Sequence, residues 1–318
     1  MTDELTLVNP TAAEFDRLAL RSFVRGAYAL QNTRIRLGQR LVAQKKARMG
    51  VVPGEKEDGT LSPEDQKLLG KMTAEYGRLT DKLLKHPTPT KFKGTPLIST
   101  HCELSLTRQY VLALENEKSE FRMLAGLLKQ YPLWTEYLVD VKGCGPAMAA
   151  VIISEINIHK AEYVSSLWKY CGLDVAKDGA GRSRRQEHLV DRNYTTREGK
   201  AATCKGLTYK SVVKTKLIGV LAGSFLRTKN EEYSQIYNDY KHRLENHKVY
   251  GIHNDGKIVP HGKREVYVSK GHRHYMALRY MIKMFLKDLY KVWREQEGLV
   301  VNPPYQEAKL GHVHGTRV

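Results

Sequence analysis

Residues 141–150 read VKGCGPAMAA, and the apolar run VIISEINI follows at 151–158. Gly143 and Gly145 give the backbone freedom that a tight turn needs, and Pro146 suits the first position of a helix, where a backbone amide has no partner. The alanines and branched apolar residues after the proline predict a buried helix. The stretch is therefore typical of a helix-hairpin-helix, and we expect a second helix to end just before it, near Val139.

The backbone amides of such a turn and the start of the next helix can come close to an anion, because no side chain lies in the way. A DNA phosphate fits this description, and contact with it reads no base. The alternative is a turn that only packs two helices together. The predicted phosphate contacts are Lys142, Gly143, Cys144, Gly145, Pro146 and Ala147.

The charge of the chain favours a polyanionic partner. It has 52 lysines and arginines against 34 acidic residues, a net charge of +18. Within 176–216 we count 11 basic and 4 acidic residues, and the apolar period is lost, which predicts a flexible basic loop or a small hairpin. A loop that is merely solvated is the alternative. The best candidates for contacts to a nucleic-acid backbone are Lys177, Arg182, Arg184 and Arg185.

Residues 1–130 look like a region of long helices. Apolar residues recur at steps of three and four in three segments, and Ser62 with Pro63 is a good start for the second. The stripes indicate a coiled-coil-like bundle or a dimer seam, and ordinary packing within one chain explains them as well. The first stripe contains Leu20, Phe23, Ala27, Leu30, Arg34, Leu37 and Leu41; the second Leu69, Met72, Tyr76, Leu79 and Leu83; the third Leu104, Thr107, Val111, Leu114, Lys118, Phe121, Ala125 and Leu128.

Residues 131–318 are predicted to form a second, multi-helical domain that contains the helix-hairpin-helix. After it we expect helices over about 162–171, 208–228, 231–246 and 270–297, with a small hairpin between the last two. The last helix should turn Met276, Tyr280, Met284 and Leu289 inward and pack on the rest of this domain. The fold class is therefore mainly α, in two domains divided at 130 and 131.

Several classes of protein are disfavoured. The chain has no apolar run long enough to cross a membrane and no signal-like N-terminus, so we expect a cytoplasmic protein. Its four cysteines are widely spaced, which fits a reducing compartment. Zinc bound by these cysteines and the HRH at 272–274 has no supporting ligand spacing. We predict no metal ligand and no cofactor.

The order of five blocks resembles a known family. GCGPAMAAVIISEI, SSLWKYCGLDV with a Gly/Arg loop, KTKLIGVLAGSFLR, YSQIYNDYKHRLEN and KGHRHYMALRYMIK follow one another as in the C-terminal domain of Piv/MooV-type insertion-sequence transposases, the bridge-RNA-guided recombinases. The resemblance covers about 133–296. It implies DNA as partner, leaves a guide-like RNA open, and is specific through the order of the blocks rather than through any one of them.

The resemblance also implies an N-terminal RuvC-like fold with four metal-binding acids and a serine that attacks DNA. The first 130 residues show no such strands or acids, so magnesium would enter only with a nuclease domain supplied by a partner. Where the family has its serine, this chain has Gly179 and Ala180. Ser183 is the nearest hydroxyl and our catalytic candidate, flanked by two arginines, but the sequence identifies no general base for it. Catalytic activity is therefore left open.

Taken together, these observations predict a DNA-binding, transposase-like protein of a mobile element or phage that acts in transposition or recombination. Its homo-oligomer would form through the N-terminal helices. One alternative is an active recombinase that uses Ser183. The other is an RNA-binding or structural adaptor protein without catalytic activity.

Overall fold

The computed structural model describes residues 12–50, 61–80, 85–261 and 264–303. Within these ranges the chain is mainly helical, with only two small two-stranded sheets, which confirms the predicted fold class. No helix in the described ranges combines the length and apolarity that crossing a membrane requires. Leu83 of the second predicted stripe and the Gly/Pro-rich stretch 51–60 lie outside the described residues.

The contacts divide the chain into two compact units. One unit consists of Ser22–Gly126, and the other combines the chain up to Arg21 with the chain from Leu127 onward. The first helix, α1 (Ala12–Arg48), therefore contributes to both units. The division into domains at 130 and 131 stays a prediction.

The unit Ser22–Gly126 is built from α1 after Arg21, α2 (Pro63–Thr80) and α3 (His101–Leu127) up to Gly126. Ser62 caps α2 as predicted: its Oγ accepts a bond from the Asp65 amide (3.1 Å), and the Asp65 carboxylate accepts one from the Ser62 amide (3.1 Å). The stripes pack together within one chain, and the coiled coil and the homo-oligomer stay predictions. The buried core contains Leu37, Leu41, Val42, Leu69, Met72, Tyr76, Ile98, Leu104, Tyr110 and Ala113.

The third stripe is wrong at one position, although it ends on Leu128, which is buried as predicted. Lys118, predicted on the buried face, is exposed, whereas Glu117 beside it is buried. The reason is an ion pair, because the Glu117 carboxylate accepts bonds from the Arg34 guanidinium of α1 and from the Gln31 amide (3.0 Å). The same pair explains why Arg34 interrupts the first stripe: it faces a carboxylate on the neighbouring helix.

In the other unit the short helix α4 (Pro146–Glu155) lies in the core, where every residue from Met148 to Glu155 is buried. It is followed by α5 (Val164–Tyr170), α6 (Ser211–Lys216), α7 (Ala222–Arg227), α8 (Glu231–Glu245) and α9 (Lys270–Gln296). A π-helical segment, Leu217–Leu221, joins α6 to α7. The helices predicted for the second half of the chain are therefore confirmed within a few residues.

The last helix packs on α5, α7 and α8, as expected, but the predicted inward face is only partly correct. Tyr280 is exposed because it stacks on Tyr240 of α8 at the surface, with ring centroids 4.2 Å apart. Met276 and Met284 are half-buried, and Leu289 alone of the predicted set is fully buried. The buried face contains Ala277, Leu278, Met281, Ile282, Phe285, Leu286, Leu289, Tyr290 and Trp293.

Two antiparallel hairpins complete this unit. Strands β1 (Leu189–Thr195) and β2 (Ala201–Leu207) pair over their full length, from Leu189 opposite Leu207 to Thr195 opposite Ala201. Strands β3 (Ile258–His261) and β4 (Arg264–Tyr267) form the hairpin predicted before the last helix. The basic segment therefore contains the small hairpin that was one of its two predicted forms.

Candidate functional site

The turn at 141–145 connects a π-helical segment, Trp134–Leu138, to α4. Gly143 has a φ of +100°, a conformation that side chains disfavour, and a Cβ there would lie 3.0 Å from the Phe225 ring and 2.9 Å from the Thr228 hydroxyl. The Lys142 carbonyl accepts a bond from the Asn230 amide group (2.9 Å). Packing on α7 and on the start of α8 is thus sufficient to require glycine at this position.

One of the residues predicted to contact a phosphate, Cys144, is already engaged inside the turn. The Cys144 amide donates to the Val141 carbonyl (2.8 Å), and the Cys144 side chain is buried, which raises the pKa of its thiol to about 12. In contrast, Lys142, Gly145 and Pro146 are exposed, and Ala147 is half-buried. If the turn binds a phosphate, these residues at the start of α4 are the ones that can reach it.

The loop after α5, residues 174–182, folds back on itself and is called the arch below. The Ala176 amide donates to the Ala180 carbonyl (2.8 Å), and the Arg182 amide donates to the Asp174 carbonyl (3.0 Å). Gly179 turns the chain at the tip with a φ of +77°. The Arg182 guanidinium forks onto the Asp174 carboxylate, with Nη2 to Oδ2 at 2.6 Å, which raises the pKa of Arg182. The arch ends directly before Ser183.

Ser183 belongs to a chain of three polar side chains. Its hydroxyl oxygen lies 2.9 Å from Nδ1 of His188, and Nε2 of His188 lies 3.1 Å from Oδ2 of Asp178. His188 is buried at the end of the short 3-10 helix Gln186–His188, whereas Ser183 is half-buried and so remains accessible. A hydroxyl, an imidazole and a carboxylate in this order are the arrangement that activates serine nucleophiles.

The backbone fixes the protonation of the imidazole. The Ser183 amide, which can only donate, also bonds to Nδ1 of His188 (3.0 Å). Nδ1 is therefore the unprotonated nitrogen, and Nε2 carries the hydrogen that it donates to Asp178. The other carboxylate oxygen of Asp178 accepts a bond from the Ala180 amide (2.8 Å), which holds the carboxylate in place. Nδ1 can thus accept a proton from the Ser183 hydroxyl.

The predicted basic residues differ in their surroundings. Lys177, Arg184 and Arg185 are exposed, and the Arg185 amide donates to the Ser183 oxygen (3.3 Å). Arg182 is half-buried and its guanidinium is engaged with Asp174, so it supports the arch instead of reaching outward. The exposed three remain candidates for contact with a polyanion.

Two cationic side chains from later helices donate hydrogen bonds to the backbone of this loop. Lys214 of α6 donates to the Arg182 carbonyl, and Arg279 of α9 donates to the carbonyls of Gly172 (3.5 Å) and Asp174 (3.3 Å). Burial, reinforced by the nearby Arg279 charge, lowers the pKa of Lys214 to about 8. Burial also lowers the pKa of Arg279. Gly181 lies against this guanidinium, since a Cβ there would be 2.7 Å from its carbon.

The structure brings Ser183 together with two residues that the sequence did not indicate, His188 and Asp178. They lie five residues on either side of it, and no known motif marks that spacing; the only signal was a histidine just before a predicted hairpin. The contacts of the Gly143 turn are to α7 and α8, and those of the arch are to α6 and α9. No group of His, Cys, Asp and Glu in the described part of the chain is arranged to hold a metal ion.

Comparison with models of known protein families finds a match to part of the chain. Residues 135–197 match the family model described as Transposase IS116/IS110/IS902 family. The matched segment runs from the π-helical turn to the β1–β2 connection and includes Asp178, Ser183 and His188. This confirms the resemblance for that part of the chain and supports a transposase-like class, which acts on nucleic acid. Searches of curated proteins and of solved structures gave no match.

Proposed function

We propose that this protein binds DNA and breaks and rejoins DNA strands with Ser183 as the nucleophile. Three features support the proposal: a transposase-type segment that spans the site, the basic excess of 176–216, and the exposure of Lys177, Arg184 and Arg185 around the serine. The observation that carries it is the hydrogen-bonded series from Ser183 through His188 to Asp178.

The reaction follows from these contacts. The Ser183 oxygen attacks a DNA phosphorus, its proton passes to Nδ1 of His188, and the bond from phosphorus to one strand's oxygen breaks. The departing oxygen leaves on the side of the phosphorus opposite Ser183, as in-line displacement requires, and takes its proton from solvent. Asp178 stabilises the imidazolium, which then gives its proton back to solvent. The product is a phosphodiester between serine and DNA, so the bond energy is retained, and attack by another strand's hydroxyl reverses the step. Once protonated, Nδ1 no longer accepts a bond from the Ser183 amide, which is then free to bind the phosphate.

The second candidate function is nucleic-acid binding without catalysis. It is favoured by the bonds of the Ser183 and Arg185 amides, since together with the hydroxyl they hold the loop in the way that a structural serine holds a turn. In that case the exposed arginines would serve a DNA- or RNA-binding adaptor, and the imidazole would only stabilise the loop.

A covalent adduct distinguishes the two functions. The full chain is incubated with an end-labelled pool of duplex and branched DNA, with magnesium and with structured RNA as added variables, and adducts are separated on a denaturing gel. We expect an adduct that maps to Ser183 by mass spectrometry and is lost in Ser183→Ala. Ser166→Ala, an exposed serine of α5, is the matched control. No adduct under any of these conditions, or one that survives Ser183→Ala, would overturn nucleophilic catalysis.

A further inference from the structure

The β1–β2 hairpin stands free of the core. Of its first strand only Leu189 is partly covered and the next six residues are exposed; the second strand is exposed at Ala201 and from Thr203 to Lys205. Val190 and Tyr194 are 44% and 50% exposed. Both faces of this two-stranded ribbon are exposed to solvent, so its own packing contributes little to its stability. The length of the ribbon therefore needs another explanation.

One face of the ribbon is lined with hydrogen-bonding groups. Asp191 lies opposite Lys205, with an ion pair of 2.8 Å, and Asn193 lies opposite Thr203, whose hydroxyl donates to the Asn193 oxygen (3.1 Å). The pairs are consecutive on the same face because side chains alternate along a strand. A carboxylate, an ammonium, an amide and a hydroxyl therefore stand in two adjacent rows.

The other face differs. The Arg192 side chain folds over Gly206, where it would clash with a Cβ, and its guanidinium donates to the Leu207 carbonyl. Tyr194 lies beside Ala202 across the strands. The guanidinium on this face is thus engaged with the ribbon's own backbone, and the Tyr194 hydroxyl and the Cys204 thiol are the other polar groups. The two faces are therefore chemically distinct, although both are exposed.

Size and charge fit the major groove of duplex DNA. Seven residues in a strand span about 20 Å, and a two-stranded ribbon fits a groove about 12 Å wide. Arg197 and Lys200 flank the turn at the tip, where Gly199 has a φ of +77°, and Thr196 and Lys200 are bonded (2.8 Å). The cations at the tip suit phosphates at the edge of a groove.

We infer that the β1–β2 ribbon enters the major groove and reads base edges with the face formed by Asp191, Asn193, Thr203 and Lys205. This rests on the proposed DNA function and adds the part that gives sequence preference. Amides bond adenine, hydroxyls bond several bases, lysine bonds guanine, and a carboxylate accepts from cytosine. Pairing of this ribbon with the ribbon of a second copy of the chain is less favourable than DNA binding, because charged residues along open strand edges oppose such pairing.

The test uses the full chain and a pool of duplexes with randomised centres. Sequences that bind are selected, and methylation of guanine N7, which lies in the major groove, is then measured in the complex. We expect selected sequences to share a motif whose guanines are protected. The double variant Asn193→Ala, Thr203→Val should lose affinity for that motif by about fivefold or more and keep its affinity for unselected DNA. Cys204→Ser, on the opposite face, is the control.

Each other outcome overturns the inference in a distinguishable way. Binding without N7 protection, or a motif preference that persists in the double variant, removes the ribbon's role and leaves the proposed function intact. A dimer that depends on Asp191 and Lys205, with no protection of DNA, would assign the ribbon to a second copy. Absence of any DNA binding by a chain that circular dichroism shows to be folded would remove the proposed function as well.

Discussion

Nδ1 of His188 accepts the amide of Ser183 at 3.0 Å and lies 2.9 Å from the hydroxyl of the same residue. One nitrogen thus both positions the serine backbone and faces the hydroxyl oxygen of the same residue. If Ser183 is the nucleophile, His188→Asn should lower the rate of adduct formation by about 10²–10⁴, since a positioned base contributes that much.

Asp178→Asn should be slower than wild type by a smaller factor, because the imidazole remains but loses the carboxylate that stabilises its charged form. The rates are measured from the adduct band over time. A merely structural histidine would instead lower the thermal unfolding midpoint in His188→Asn and leave the rate per folded molecule unchanged. That result would contradict general-base catalysis.

The exposed arginines should carry the salt dependence of DNA binding. We expect Arg184→Gln with Arg185→Gln to weaken binding of a random duplex and to reduce the slope of log K against log salt by up to about 2, because two phosphate contacts are removed. Arg182→Gln should change the slope little, since that guanidinium is bonded to Asp174. Fluorescence anisotropy over a range of salt concentrations gives the slopes. An Arg182 effect as large as that of the pair would refute this division of roles.

The two glycines of the turn should differ in their effect on stability. Gly143→Ala places a Cβ at a φ of +100° against Phe225 and Thr228, and should lower the free energy of unfolding by about 1–3 kcal/mol. Gly145→Ala meets no atom within 4 Å and has a φ of −75°, so it should cost less than Gly143→Ala. Because Gly145 is the N-cap of α4, where alanine is a poorer cap than glycine, we expect a loss of up to about 1 kcal/mol. Urea denaturation measures both.

Gly145→Ala is therefore the variant that tests the phosphate grip. A bulkier residue at Gly143 would confound a loss of binding with a loss of fold. If Gly145→Ala is stable and binds DNA as tightly as wild type over a range of salt, the turn is structural and the grip does not exist.

The ion pair in the unit Ser22–Gly126 should respond to the removal of one partner or of both. Glu117→Leu leaves the half-buried Arg34 charge without its carboxylate and should lower the free energy of unfolding by about 1–3 kcal/mol. The double variant Arg34→Leu, Glu117→Leu should recover most of the loss, since apolar pairs of this size pack well between helices. Urea denaturation gives the free energy of unfolding of each variant. A double variant that is less stable than Glu117→Leu would contradict this prediction.

Lys214 should make stability depend on pH in the alkaline range. Its pKa of about 8 in the folded chain is below the ordinary 10.5, so the unfolded chain binds more protons between these values. Its contribution to the free energy of unfolding therefore rises as the pH increases from about 8 to 10.5 and is at its lowest below pH 8. Relative to Lys214→Met, wild type should gain stability over this window.

The difference between the two chains is obtained from urea unfolding at one pH below 8 and at one near 10.5. Subtraction removes the titration of other groups that both chains share. Lys177→Met, at an exposed lysine of the arch, is measured alongside as the variant that removes a surface lysine. A difference of the opposite sign would mean that Lys214 is held charged, for example by a bound anion.

Helices were predicted well where the apolar periodicity was long, as in α8 and α9. The basic segment was predicted from its charge. The prediction failed in the phase of α9, because Tyr280 pairs with Tyr240 at the surface, and in α3, because an ion pair places Glu117 inside. Both errors arise from partners on other helices, which a single-helix pattern cannot contain. The sequence did not indicate His188 and Asp178 for the same reason, because they contact Ser183 only after the arch has folded.

The bonds that Arg279 makes to Gly172 and Asp174 join residues 107 and 105 positions apart. During synthesis, Ser183 leaves the ribosome long before the helix that holds its loop exists. The arch is therefore complete only when nearly the whole chain has been made, and fragments that end before α9 would carry the serine without its fixed surroundings. If Ser183 cuts DNA as proposed, it cannot do so from a nascent or truncated chain.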